Sequence, residues 1–214
     1  FKDAVISTGL PVFTKYIPGS IWSVIGGAEY VTSRHGISRQ ITFTASFGSQ
    51  MLSLFTGFVL ALLSLLVLPR AMALKWGPIV GALVIVSALV LFSSHFRKLV
   101  NYTALKILKK NIDMPAASSA SLIRLMPVYF FMWLLFSLFF YFYAQSVSLQ
   151  TVPLFTAAGF PLAGVFGIVA VFAPGGLGVR EGIMTFYLKA LGFTIPEAAS
   201  IALGSRGVFI IGEF

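Results

Sequence analysis

Residues 173–182 read Ala-Pro-Gly-Gly-Leu-Gly-Val-Arg-Glu-Gly and follow directly on a charge-free apolar stretch from Pro153 to Phe172. Proline lacks the amide hydrogen that a helix needs and glycine lets the backbone turn, so this run predicts a broken helix. Because lipid cannot hydrogen-bond the freed backbone groups, such a break must be buried in protein or line a polar cavity. Arg180 and Glu181 are therefore candidates for a functional site at membrane depth.

The composition is typical of a protein dissolved in a bilayer. Hydrophobic residues make up 58% of the chain and charged residues 10%, against about 25% charged residues in soluble domains. We expect one all-α, polytopic integral membrane bundle with broken or re-entrant helices over residues 1–214. Since the chain begins with Phe1 rather than Met, we expect it to be a fragment of a longer protein.

Four apolar runs are long enough to cross roughly 30 Å of hydrocarbon as helices. They cover about residues 45–68, 76–96, 127–146 and 153–172. Three further apolar pieces are too short or too interrupted to cross alone, and we expect them to be broken or re-entrant: about residues 6–25, 183–193 and 198–211.

The basic residues set the expected orientation. Residues 97–124 contain six Lys and Arg side chains, whereas residues 145–151 contain none. Because short cytoplasmic connections are enriched in Lys and Arg, we expect residues 97–124 in the cytoplasm and the Arg180 segment towards the inner half of the membrane. The 97–124 segment is either an interfacial amphipathic helix or a specific head-group site. The net charge of +9 thus indicates contact with the membrane rather than with nucleic acid.

No cofactor or metal is expected. The chain has no cysteine, His35 and His95 lack further ligands at suitable spacing, and the phosphate-binding pattern GxxxxGK[ST] does not occur.

A second break near the N-terminus resembles the first in kind. Pro18 and Gly19 interrupt an apolar stretch beside Lys15, much as Pro174 and Gly175 precede Arg180. Paired interruptions of this sort favour an inverted-repeat transporter with its substrate site where the broken helices meet. The alternative is that each Pro-Gly pair is a loop between ordinary helices and that Lys15 extends to water.

Taken with residues 15–22, residues 36–39 and Arg206, the 173–182 run resembles the transmembrane domain of the lysylphosphatidylglycerol synthase/flippase family over nearly the whole chain. That resemblance implies a bacterial inner-membrane protein with re-entrant pieces that moves an aminoacylated phospholipid from the inner to the outer leaflet. These residues do not include the family's aminoacyl-transferase domain, so the resemblance implies a transporter rather than an enzyme. It places family motif positions at Pro174, Gly175, Gly176, Gly178, Arg180, Glu181, Arg206, Pro18 and Gly19.

A chemical role follows for each candidate, with Lys15 included as the cation of the N-terminal break. Arg180 and Arg206 suit the oxygens of a phosphodiester. Glu181 either receives a cationic group of the substrate or holds Arg180 in place, and the glycines let the backbone approach the ligand. The structural alternatives are that Arg180 and Glu181 form an internal ion pair and that Arg206 extends to the membrane surface.

The sequence therefore favours a flippase-like protein that binds a phospholipid or a polyprenyl-phosphate-linked lipid. Two other classes stay open: a membrane subunit that presents such a lipid to a transferase, and a scaffold whose broken helices serve only packing. A second copy of the chain or a transferase is the expected protein partner.

Overall fold

The computed structural model describes residues 29–34, 36–94, 119–170 and 172–213. The regular elements of these residues are all helical, as the all-α prediction required. The α-helices are α1 (Arg39–Ser64), α2 (Arg70–Phe92), α3 (Ser119–Val147), α4 (Gly159–Val169), α5 (Val179–Ala190) and α6 (Ile195–Glu213). Short 3-10 turns cover Leu65–Val67, Leu154–Ala158 and Pro174–Gly176.

Within the described ranges, four helical segments are long and apolar enough to cross a membrane: Thr44–Val67, Arg70–Phe92, Ala120–Val147 and Ile195–Gly212. Large apolar side chains cover their outer surfaces; Leu66 is 80% exposed and Phe131 is 61% exposed. A soluble protein rarely exposes apolar patches of this extent. The chain is therefore an integral membrane protein of the helical-bundle class.

The fourth predicted span, residues 153–172, differs from the prediction. Pro153 precedes a 3-10 turn, α4 ends at Val169, and the whole helical segment Leu154–Val169 has fewer residues than the spanning helices. Nearly all side chains of α4 are buried in the protein. A helix that is apolar on every side is as typical of a protein core as of a membrane span, so its hydropathy was misleading.

The last predicted broken or re-entrant piece, residues 198–211, is a continuous helix in the structure. It belongs to the continuous 19-residue helix α6, which contains Arg206 and is long enough to cross. The interruption was expected because a cation stands in the apolar run. In the structure Arg206 is buried against a carboxylate, so the helix continues past it. The second short piece, residues 183–193, falls mainly in the 12-residue helix α5.

The helices meet around a tryptophan. The indole N–H of Trp133 in α3 donates to the carbonyl oxygen of Ser53 in α1 at 3.0 Å. Its ring fills the space where side chains on Gly57 of α1 and Gly164 of α4 would otherwise lie. Glycine at both positions thus lets three helices approach one indole, and this fixes α4 against the long helices.

The N-terminal predictions lie outside the described residues. These are the broken segment 6–25 with Lys15, Pro18 and Gly19. The inverted repeat rests on that segment and stays a prediction, as does the cytoplasmic placement of residues 97–124.

Candidate functional site

The predicted break is a tight turn held open by glycine. Pro174–Gly176 forms one 3-10 turn between α4 and α5, and Gly175, Gly176 and Gly178 all have positive φ angles, between 60° and 81°. Only glycine adopts such angles without strain. A Cβ atom on Gly176 would also lie 2.6 Å from the carbonyl oxygen of Gly167. The turn therefore packs directly on the backbone of α4.

Glu181 ends the break by capping α5. It is the third residue of that helix and is only 7% exposed. Its Oε2 atom accepts a hydrogen bond from the backbone N–H of Gly178 at 2.6 Å. A carboxylate at this position satisfies one of the free amides of the first turn and is favoured by the positive end of the helix dipole.

Arg206 joins α6 to the same turn. Its Nε atom lies 3.6 Å from Oε1 of Glu181, and its Nη2 atom donates to the carbonyl oxygen of Gly175 at 2.9 Å. The residue is 6% exposed. Because a buried charge is costly without compensation, the pair and the carbonyl contact together explain how a cation is accommodated inside an apolar helix.

Two structural alternatives from the sequence are corrected by these contacts. Arg206 is buried, so the idea that it extends to the membrane surface is wrong. Glu181 pairs with Arg206, whereas the sequence suggested a pair with Arg180. The physical reason is helix geometry: adjacent residues on a helix project in different directions, and only residues three or four apart share a face.

Arg180 lies on the aromatic side of the site. Its guanidinium carbon is 4.5 Å from the ring centre of Phe160 in α4 and 5.5 Å from that of Phe209 in α6. Both distances are within the range of a cation–π interaction. Gly167 of α4 makes this approach possible, because a Cβ atom there would lie 3.2 Å from Cβ of Arg180.

These residues surround a small cavity between α4, α5 and α6. It is lined by three charged groups, two phenylalanine rings and three other side chains: Arg180, Glu181, Arg206, Phe160, Phe209, Met184, Ala202 and Ser205. Its free volume is about 10 Å³, which is roughly the space that one water molecule needs. In this conformation the site can hold a water molecule between its charges, and a larger ligand requires the helices to separate.

The structure thus brings most predicted site residues into one place: Pro174, Gly175, Gly176, Gly178, Arg180, Glu181 and Arg206. The two rings were not predicted. Phe209 lies three residues after Arg206 on α6, a spacing that places both on one helix face and that the sequence already contained. Nothing in the sequence distinguishes Phe160 among the 22 phenylalanines.

The fold and the site define a polytopic helical membrane protein with a buried charged cluster at a break between two short helices. The chain matches the family model described as lysylphosphatidylglycerol synthase TM region over residues 11–211. It belongs to that family, and the family resemblance inferred from the motifs is confirmed. The family links the chain to proteins of lipid modification. No curated protein and no solved structure matches the chain.

Proposed function

We propose that this protein binds the phosphate of a lipid head group at the Arg180 cavity and carries the head group between the leaflets of a bacterial inner membrane. The observation that carries the proposal is the cluster of two arginines and one glutamate at a glycine-rich helix break inside an apolar bundle. Ionisable groups at membrane depth are expensive and are typical of substrate pathways. A phospholipid or a polyprenyl-phosphate-linked lipid has the required chemistry.

Charge favours an anion as the ligand. Two arginines and one glutamate line the cavity, so the formal charges of these three side chains sum to +1. The start of α5 adds the partial positive charge of its backbone amides beside Arg180. A guanidinium binds two phosphate oxygens through parallel N–H donors, and this suits the phosphodiester of a phospholipid.

Movement of the helices is part of the proposal. Because the cavity has room for about one water molecule, a head group enters only when α5 or α6 shifts relative to α4. The acyl chains stay in lipid during this step, since the outer faces of the long helices are apolar. Translocation then consists of exposing Arg180 alternately towards each leaflet.

A second function is favoured by one observation. Glu181 and Arg206 are both tied to the backbone of the break, through Gly178 and Gly175. These contacts stabilise the turn whether or not a lipid binds. They are what we would also expect of a scaffold, or of a membrane subunit that holds a lipid for a transferase without moving it.

Leaflet exchange of head-group-labelled lipids in proteoliposomes tests the proposal. The parent protein should accelerate exchange of phosphate-containing lipids over protein-free liposomes, and Arg180→Ala should return exchange to that background. Lys189→Ala is the matched control, because Lys189 is an exposed cation on the same helix. If the parent binds labelled lipid but never exchanges it, the lipid-presenting function replaces the transporter. If the parent neither binds nor exchanges any phosphate-containing lipid, the result favours the scaffold over both lipid-binding functions.

A further inference from the structure

Helices α4 and α5 are packed closely together at both of their ends. At the break, a Cβ atom on Gly176 would lie 2.6 Å from the carbonyl oxygen of Gly167, so the turn rests on the backbone of α4. At the other ends of the two helices, the ring of Tyr187 lies on Gly159, where a Cβ atom would be 2.5 Å from the ring. Tyr187 is fully buried, and its hydroxyl donates to the carbonyl oxygen of Phe155 at 3.2 Å. Close packing of this kind makes α4 and α5 one rigid hairpin.

Helix α6 is joined to this hairpin by a short connection and is anchored at its start. Residues 191–194 link α5 to α6, and Gly192 has a φ angle of 101° there. In the first turn of α6, Glu197 accepts hydrogen bonds from Oγ of Ser148 at 2.7 Å and from Nε2 of Gln150 at 3.3 Å. These bonds fix the start of α6 to the connection that leads from α3 to α4. Because hinge motions are absorbed by a few loop or helix-terminal residues, a tilt of α6 would pivot at this end.

Arg206 holds α6 against the hairpin at a point far from this pivot. It lies 11 residues after Ile195, which corresponds to about 16 Å of helix, so a tilt of about 15° would move it by about 4 Å. Such a tilt has to break the contact of Arg206 with Oε1 of Glu181 at 3.6 Å and its hydrogen bond to the carbonyl oxygen of Gly175 at 2.9 Å. Both partners belong to the rigid hairpin. Contacts so far from the pivot oppose tilting more effectively than contacts close to it.

We propose that α6 is a gate of the cavity: it tilts about residues 191–194, and Arg206 locks it closed against the α4–α5 hairpin. Tilting would widen the cavity, because four side chains of α6 line it: Ala202, Ser205, Arg206 and Phe209. The inference rests on the proposed function for the purpose of opening, which is to admit a head group. Arg206 is thus a positioning residue, which acts through the placement of α6.

The reaction of a single cysteine with a small, water-soluble thiol reagent tests the gate on the purified protein in detergent micelles. The chain has no cysteine, so Ser205→Cys introduces the only thiol, at a cavity position that is 6% exposed. In this background Arg206→Met should raise the labelling rate roughly tenfold to hundredfold, which corresponds to the loss of one charge-assisted hydrogen bond. Removal of a neighbouring cation lowers the thiolate fraction of a cysteine, so faster labelling reports access rather than reactivity.

Two controls separate opening of the gate from general loosening of the fold. Ser87→Cys places the thiol at a buried position of α2 outside the cavity, where Arg206→Met should leave the labelling rate unchanged. Ser200→Ala changes an exposed residue of α6 and should keep the labelling of Ser205→Cys within about twofold of the parent rate. Equal acceleration at both cysteines in Arg206→Met would overturn the inference, because it reports global unfolding.

The double variant Glu181→Gln/Arg206→Met separates loss of the lock from the effect of an unpaired carboxylate. In Arg206→Met the buried carboxylate of Glu181 loses its cation, and its need for solvation favours entry of water. The double variant has neither charge of the pair. It should still be labelled faster than the parent, because the lock is absent, and a return to the parent rate would overturn the inference.

Arg206→Lys keeps the test decisive if Arg206→Met does not fold. Lysine retains a cation but lacks the guanidinium fork that reaches both Glu181 and Gly175, so a smaller acceleration is expected. An unchanged rate in the variants that fold would overturn the gate and leave the proposed function intact, since labelling needs no lipid. A protein that shows the predicted labelling but exchanges no lipid would contradict the proposed function and leave the gate standing.

Discussion

Arg206→Met should lower the free energy of unfolding by more than a typical single substitution does. The change leaves the carboxylate of Glu181 buried without its cation at 3.6 Å, and it removes the donor to the carbonyl oxygen of Gly175. Breaking a buried ion pair by removing one partner costs about 3–5 kcal/mol. We expect a loss in that range in the free energy of unfolding.

The second half of this prediction concerns the partner. Glu181→Gln keeps an oxygen that can accept from the Gly178 amide but removes the charge, so the double variant Glu181→Gln/Arg206→Met contains no buried charge at this pair. It should therefore be more stable than Arg206→Met alone, with a coupling of about 1–3 kcal/mol between the two positions.

The assay is reversible unfolding in mixed micelles, followed by tryptophan fluorescence, for the parent, both single variants and the double variant. A loss below about 1 kcal/mol for Arg206→Met, the size of an exposed pair, would refute the idea that this pair is buried and structural. Strict additivity of the two single variants would refute the coupling between α5 and α6.

Two further predictions concern the backbone and the helix junction. Gly176→Ala should reduce stability by well over 2 kcal/mol, because the φ angle of +72° alone costs about 1–2 kcal/mol for alanine and the new Cβ would meet the backbone of α4. Gly178→Ala is its control: the φ angle is +81° but the space is open, so only the conformational cost should appear in the same unfolding assay. Trp133→Phe removes the hydrogen bond to the carbonyl oxygen of Ser53 and should lower the free energy of unfolding by about 1 kcal/mol. A loss above about 3 kcal/mol for Trp133→Phe would mean that packing of the indole, rather than its N–H, dominates there.

Much of the long-helix pattern was predictable from hydropathy. The first three predicted spans overlap α1, α2 and α3, whose outer faces are apolar because they meet lipid. Hydropathy does not distinguish α4 from a spanning helix. Apolar residues are selected both when a helix is buried inside the protein and when it lies in lipid. Hydropathy measures the removal of a residue from water and does not indicate which medium replaces it.

The break itself was visible in the sequence because it depends on local chemistry. Pro174 and the following glycines predict a turn regardless of what surrounds them, and the structure has one there. The partner of Glu181 was not predictable in the same way. Arg206 lies 25 residues further along the chain, on a helix whose position depends on tertiary packing.

The contact of Arg180 with two phenylalanine rings was not predictable from the sequence for the same reason. Phe160 lies on α4 and Phe209 on α6, and each is one of many phenylalanines in an apolar helix. Their shared contact with one guanidinium emerges only when α4, α5 and α6 pack together. Sequence motifs identified the charged residues of the candidate site, and tertiary packing added the two phenylalanine rings beside them.

Photocrosslinking with a phospholipid that carries a diazirine on its head group would locate the lipid path. We expect labelled peptides from residues 179–190 and 195–213, which line the Arg180 cavity, and we expect Arg180→Ala to remove this labelling while Lys189→Ala retains it. Labelling confined to the exposed apolar faces of α2 and α3, and unchanged in Arg180→Ala, would contradict the assignment of the helix break as the site where the head group binds.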